Sequence, residues 1–248
     1  MAESRWLQRL EPRPNAPLRL YCFPHAGASA AVYQPWAAEM PATVELIAVQ
    51  YPGRAHRYRE APPEDMATLV QGIRDALAED IRGPYALFGH SMGAAVAFET
   101  VRALRDAHVP EPMHLFLSGR TPTGTGLPDG QPLKSPQDAL SLLRRLGGTP
   151  PELLEDEEAR ALLLAAFTAD WQLMRAYRHT APEPPLGCPV TAMAGAQDPI
   201  TDITDAAAWA TVTTGPFHLL VFPGDHFYLA KRSHEVVAHL SRTLCQVG

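Results

Sequence analysis

Cysteine is scarce in this chain of 248 residues. Cys22, Cys188 and Cys245 form an odd set without CxxC spacing, which argues against a disulfide framework and against a cysteine-based zinc site. Free cysteine packs as a small hydrophobe, and these three are read as ordinary buried or half-buried thiols. No apolar run approaches the ~20 residues of a membrane span, and the start MAESRWLQRLEPRP has no signal-peptide core. The expectation is a cytoplasmic protein with no membrane association. Positive charge is also in short supply. Lys plus Arg number 21 against 27 Asp plus Glu, a net charge of -6, which argues against broad affinity for nucleic acid or anionic lipid. At 46% hydrophobic and 19% charged, the chain is apolar enough for one folded domain spanning 1–248.

Short, unbroken apolar runs recur at 18–23, 44–49, 85–88, 114–117, 190–194 and 219–222. Runs that do not alternate have the look of strands buried on both faces of a parallel sheet. Helical spacing intervenes, as at Met66, Leu69, Val70, Ile73 and Leu77 after Glu64-Asp65, and at Ala94, Ala97, Phe98, Val101 and Leu104. Residues 234–244 read as a closing helix. The alternation predicts an α/β fold: a mostly parallel central sheet with helices on both faces. About seventy residues separate the strand ending near Ser118 from the one starting near Pro189, far more than a single crossover needs. Residues 120–185 are therefore read as an insertion. It carries a helix at about 135–146 and a long helical pattern at 151–178, whose apolar Phe167, Trp171 and Met174 are candidates to line a substrate cavity beneath a lid.

The chemistry concentrates around Gly89-His90-Ser91-Met92-Gly93, which follows a strand and opens a helix. A nucleophile on so sharp a turn needs small residues two positions away on either side, and the helix N-terminus behind it favours developing negative charge. Ser91 is the candidate nucleophile. Its base and orienting acid are sought downstream, just beyond strand ends, where open α/β sheets build their sites. Asp198 follows the strand 190–194 and His226 the strand 219–222. Asp129 is an alternative acid. Asp225 is read as a turn residue, His90 as a packing or hydrogen-bonding residue, and His218, His234 and His239 as surface or satisfied histidines. Oxyanion donors are expected from the N–H of Met92 and, in the small-residue loop Phe23-Pro-His-Ala-Gly27, from that of Ala26.

These residues belong to a longer series. Phe23-Pro-His-Ala-Gly27, Tyr51-Pro-Gly-Arg54, Phe88-Gly-His-Ser-Met-Gly-Ala94, Ala169-Asp-Trp171 and Gly224-Asp-His-Phe227 resemble, in order and spacing, the type II thioesterases of polyketide and nonribosomal peptide assembly lines. The resemblance runs from about Leu18 to Leu229. It implies an α/β-hydrolase fold with the insert as a helical lid. It also implies Ser91, Asp198 and His226 as catalytic residues, Ala26 and Met92 as oxyanion donors, and no metal or organic cofactor. The implied reaction is hydrolysis of acyl groups from the phosphopantetheine arms of acyl or peptidyl carrier proteins, clearing stalled or misprimed chains, with acyl-CoA as a surrogate substrate. Ala28 and Tyr51 depart from the pattern, where a second glycine and a leucine are expected. A carboxylesterase or lipase of the same fold, and a catalytically silent binding module, are the alternatives. Carrier proteins are acidic, so basic residues at Arg54, His56, Arg57 and Arg59, at Arg144-Arg145 and at Lys231-Arg232 are candidates for docking them.

Overall fold

The computed structural model describes residues 4–122, 133–180 and 184–246. Six apolar segments form parallel strands, β2 (Leu18–Phe23), β3 (Val44–Val49), β4 (Tyr85–His90), β5 (His114–Ser118), β6 (Val190–Gly195) and β7 (Phe217–Phe222), preceded by a short β1 (Leu7–Arg9). The sheet runs β1-β3-β2-β4-β5-β6-β7, with β1 alone antiparallel, paired to β3. Helices follow in chain order: α1 (Gln34–Glu39), α2 (Met66–Asp80), α3 (Met92–Asp106), α4 (Pro136–Leu146), α5 (Pro151–Glu155), α6 (Glu157–Ala176), α7 (Ile203–Ala206), α8 (Tyr228–Lys231) and α9 (Ser233–Gln246).

The strands divide their side chains between two cores. Tyr21, Phe23, Leu87, Leu115 and Leu117 face α2 and α3, whereas Leu20, Cys22, Phe88, Phe116 and Met193 face α1 and α9. Both faces are apolar, which is why the runs do not alternate in sequence. The α2 periodicity starts where Asp65 accepts a hydrogen bond from the Thr68 N–H at 2.8 Å, satisfying an orphan donor of the first turn.

Two expectations need correction. β7 is not buried on both faces: it is the sheet edge, its residues are half-buried or exposed, and Val221 is 44% exposed. The long helical pattern of the insert is two helices, because Asp156 leaves helical geometry (ψ 123°) and its carboxylate accepts from the Ala159 N–H at 2.7 Å, capping α6. Helix α4 begins as expected, with Ser135 and Asp138 forming a reciprocal capping box. Between β5 and β6, α4 and α6 bury a cluster of their own, in which Ala139, Leu142, Leu143, Leu146, Phe167 and Trp171 pack with Phe227. Phe227 directly follows His226, so the insert sits on the loop that carries the candidate base.

Candidate active site

Ser91 is the hinge between β4 and α3. Its backbone is strained, at φ 55° and ψ -117°, a conformation that L side chains rarely adopt and that costs about 1–3 kcal/mol. The glycines on either side make the turn possible: a Cβ on Gly89 would overlap the Gly93 carbonyl, and one on Gly93 would overlap the Phe23 carbonyl. The Ser91 N–H donates to Ser118 O of the adjacent strand at 2.8 Å, tying the elbow to β5. Met92 is the first residue of α3, so its N–H belongs to the turn that has no acceptor within the helix.

Asp198 and His226 come from loops after β6 and β7, neighbouring strands that both end at this edge of the sheet. His226 Nδ1 donates to Asp198 Oδ2 at 2.8 Å, and both side chains are almost wholly buried. The other carboxylate oxygen, Oδ1, accepts the N–H groups of Ile200 (2.8 Å) and Thr201 (3.2 Å). Both oxygens of Asp198 are thus engaged, and the imidazole is held with Nε2 as its unprotonated nitrogen.

Two more imidazoles crowd this one. The His90 ring centroid lies 4.9 Å from that of His226, and His25 meets the Phe227 ring edge-on at 4.9 Å. Burial, then the neighbouring His226 charge, push His90 well below the ordinary histidine range and take His25 down to about 3. Both are therefore weak proton acceptors, and of the three only His226 has a carboxylate partner, Asp198. His90 Nδ1 lies 2.8 Å from Ser118 Oγ, which in turn lies 2.7 Å from the Tyr228 hydroxyl, a hydrogen-bonded packing role. Asp225 is a turn residue: it accepts the Phe227 N–H and pairs with Lys231 at 2.7 Å. His218 lies in β7, and His234 and His239 lie in α9. Asp129 falls outside the described residues.

The loop 24–29 after β2 carries Ala26, and it forms one wall of a cavity of about 570 Å³. The opposite wall is the insert, through Leu143, Leu153, Leu162, Leu163 and Ala166. Phe167, Trp171 and Met174 are not among the residues lining this cavity. Phe167 and Trp171 pack inside the insert cluster, and Met174 is in the main core beside α3.

Sequence reasoning missed the strongest polar contact of this region. Arg54 and Asp170 form a bidentate ion pair, with Nη1 to Oδ2 at 2.5 Å and Nη2 to Oδ1 at 2.7 Å, and Asp170 Oδ2 also accepts the Gly27 N–H at 2.7 Å. Both residues stood in the motif series, but as separate signals. The expected basic docking patch loses two members as a result: Arg54 is buried against Asp170, and Arg57 is buried, paired with Glu60 and stacked on the Trp6 ring. Among the described residues, no group of three or more His, Cys, Asp or Glu is arranged to hold a metal ion. No helix among them is long and apolar enough to cross a membrane.

Comparison with known proteins agrees with this geometry. Residues 18–244 match the model of the thioesterase domain family. The chain is 39% identical over 238 residues to thioesterase PikA5 of Streptomyces venezuelae, covering 95% of this chain and 84% of that protein. The solved structure of the type II thioesterase BorB from the borrelidin biosynthetic cluster superposes with a TM-score of 0.87 at 36% identity, over 96% of each chain. YbtT, a type II thioesterase from the yersiniabactin NRPS/PKS biosynthetic pathway, superposes with a TM-score of 0.84 at 27% identity, over 98% of this chain and 99% of that one. A serine elbow at a parallel sheet edge, a neighbouring His–Asp pair and these matches lead to one conclusion: the chain belongs to the thioesterase family and adopts the α/β-hydrolase fold.

Proposed function

We propose that the chain is an editing thioesterase that hydrolyses acyl groups from the phosphopantetheine arms of acyl or peptidyl carrier proteins through an acyl-enzyme on Ser91. The observation that carries this reading is the buried His226–Asp198 pair at the sheet edge where the strained elbow presents Ser91. His226 Nε2 takes the Ser91 proton as Oγ adds to the thioester carbonyl. The oxygen that becomes negative is met by the N–H groups of Met92 and Ala26. Collapse breaks the C–S bond, and His226 returns the proton to the departing pantetheine thiolate. Water, deprotonated by the same imidazole, then releases the carboxylic acid and restores Ser91. Asp198 holds the imidazole and stabilises its charged form. Each step balances with these residues, water and substrate.

The names of the relatives, type II thioesterases of biosynthetic clusters, support a carrier-bound substrate. The test compares kcat/KM for an acyl carrier protein, the same acyl-CoA and the p-nitrophenyl ester, with fluorophosphonate labelling alongside. Carrier-bound thioester is expected to be turned over best and Ser91 to be labelled. A preference for the simple ester would favour the carboxylesterase reading, and an unlabelled protein the silent module.

In this reading the insert 120–185 acts as a lid over the acyl chain; Phe167, Trp171 and Met174, the contacts expected from sequence, are packed beneath the cavity wall formed by Leu143, Leu153, Leu162 and Leu163, and reach the chain only if the insert moves. Apolar contact is worth roughly 0.8 kcal/mol per buried methylene, so discrimination among chain lengths is graded, which suits an enzyme that clears varied chains. Trp171→Ala is expected to change the chain-length ranking of kcat/KM with Ser91 still labelled. Met174→Ala is expected to change it too, at a cost of about 2–5 kcal/mol in stability because Met174 is buried in the main core. If neither folded variant changes the ranking, these side chains only pack the insert, and the cavity lined by Leu162 and Leu163 becomes the better place to look for acyl contacts.

A further inference from the structure

We infer that Arg54 and Asp170 are positioning residues: through them α6 of the insert sets the geometry of the loop that carries the second oxyanion donor. The inference rests on the assignment of Ala26 above and adds two residues that act through that loop, Arg54 from the cavity wall and Asp170 from behind it. The loop 24–29 has no ladder partner beyond Phe23, whose register with Gly89 ends the β2–β4 pairing, and its one internal backbone bond runs from the Ala28 N–H to His25 O at 3.1 Å. Further contacts come from side chains elsewhere. The Tyr33 hydroxyl donates to Phe23 O (2.8 Å) and the Tyr51 hydroxyl to Pro24 O (3.2 Å), while the Ala30 N–H donates to Gln50 Oε1 (3.1 Å).

The contact closest to the donor is made by Asp170. Its Oδ2 accepts the Gly27 N–H at 2.7 Å, and that N–H belongs to the peptide unit linking Ala26 to Gly27. Fixing this plane restricts the backbone of Ala26, and with it the directions in which the preceding N–H can point. Gly27 takes φ +79°, a left-handed conformation open to glycine. A carboxylate accepting a backbone N–H makes a charge-assisted bond, stronger than a neutral one.

Arg54 holds the carboxylate in turn. Its two terminal nitrogens take both oxygens of Asp170, Nη1 also reaches Ala28 O at 3.3 Å, and Nε donates to Pro52 O at 3.2 Å. The guanidinium therefore binds the loop on the far side of Gly27, while its own backbone belongs to the turn after β3. Three segments distant in sequence meet at one carboxylate. The pair is 5% and 3% exposed at the side chains, so its charges are removed from water. Buried ion pairs are weak evidence of stability, because apolar residues of similar volume often stabilise as well or better. What apolar residues could not supply is an acceptor for the Gly27 N–H.

The consequence is specific to the transition state. The oxyanion forms only along the reaction, so a donor displaced with its loop lowers kcat more than it weakens ground-state binding in the cavity the loop also lines. Loss of one oxyanion donor costs about 10²–10³-fold in kcat, and misplacement rather than loss is expected to cost about 10–100-fold.

The test is Asp170→Leu, which removes the acceptor of the Gly27 N–H at similar volume, assayed with an acyl thioester of N-acetylcysteamine and with an arylboronic acid. The boronic acid adds Ser91 Oγ to its trigonal boron, the hydroxyl proton passing to His226, and mimics the tetrahedral oxyanion. The expected result is a kcat lower by about 10–100-fold, KM changed much less than kcat, and boronate affinity weakened in proportion to kcat. Asp170→Asn keeps a carbonyl oxygen for the Gly27 N–H, and Arg54→Lys keeps a cation beside Asp170, so both should retain more activity than Asp170→Leu. If Asp170→Leu fails to fold, Arg54→Leu replaces it and is read by the same two measurements. A folded variant with unchanged kcat and boronate affinity overturns the inference, as does a kcat loss that boronate affinity does not follow. The underlying assignment fails separately, and visibly, if the wild-type protein binds no boronate or if Ser91→Ala still turns over thioester.

Discussion

Ser91→Ala is expected to abolish acyl-enzyme formation and fluorophosphonate labelling while leaving the melting temperature close to that of the parent. The change deletes the attacking oxygen and little else. Alanine carries the same positive-φ cost as serine at φ 55°, the backbone bond from residue 91 to Ser118 O persists, and Gly89 and Gly93 still admit the turn. What remains is the oxyanion site and substrate binding, which in enzymes of this logic sustain only about 10³–10⁴-fold over the water reaction. The measurement is single-turnover hydrolysis of an acyl thioester beside a thermal melt. Turnover near the wild-type rate in a folded Ser91→Ala protein removes Ser91 as the nucleophile.

Asp198→Asn carries the second large effect, a loss of about 10⁴-fold in kcat. The geometry explains why an isosteric change should be so damaging. Asp198 Oδ1 accepts two backbone N–H groups, from Ile200 and Thr201, and an asparagine keeps that arrangement only by placing its carbonyl oxygen there. Its NH₂ then faces His226 Nδ1, where Oδ2 stood at 2.8 Å. A donor in that place makes Nδ1 the acceptor and leaves the proton on Nε2, the nitrogen that must take the serine proton. The imidazolium also loses its counter-charge. Turnover by Asp198→Asn within tenfold of wild type, or a greater loss from Asp129→Asn, reassigns the acid to the segment after β5.

How much of this was legible beforehand differs from element to element. The five strands from β2 to β6 could be read from largely apolar runs, because a parallel sheet covered on both faces asks for apolar residues at most positions, Arg19, Glu45, His114 and Thr191 being exceptions. β7 has the same kind of run yet lies at the edge, since which strand ends a sheet depends on topology and not on its own composition. β1 was not foreseen: three residues paired to β3 carry too little pattern of their own. The helix at 136–146 is legible from sequence at about 135–146 and its capping box only in the fold, whereas the break at Asp156 does have a sequence signal, an Asp followed by Glu157 and Glu158 where the apolar spacing lapses.

The site divides in the same way. Ser91 is legible because the elbow is a local device: the glycines that permit it are two residues away, and the strand and helix that flank it are its immediate neighbours. Asp198 and His226 were found by their positions after strands, although only the parallel alignment of β6 with β7 brings them to 2.8 Å. Arg54 shows the limit of such reasoning. In sequence it stands among His56, Arg57 and Arg59 and reads as part of a solvated basic patch. In the fold it is buried against a carboxylate 116 positions away, on a helix of the insert. Local steric and hydrogen-bonding rules act between near neighbours, so the sequence by itself determined the α/β alternation and the serine turn. Long-range burial decided the rest, because whether a charge meets water or a partner depends on which distant segment covers it. That is why the edge strand, the Arg54–Asp170–Gly27 contact and the 2.8 Å approach of His226 to Asp198 emerged only from the tertiary structure.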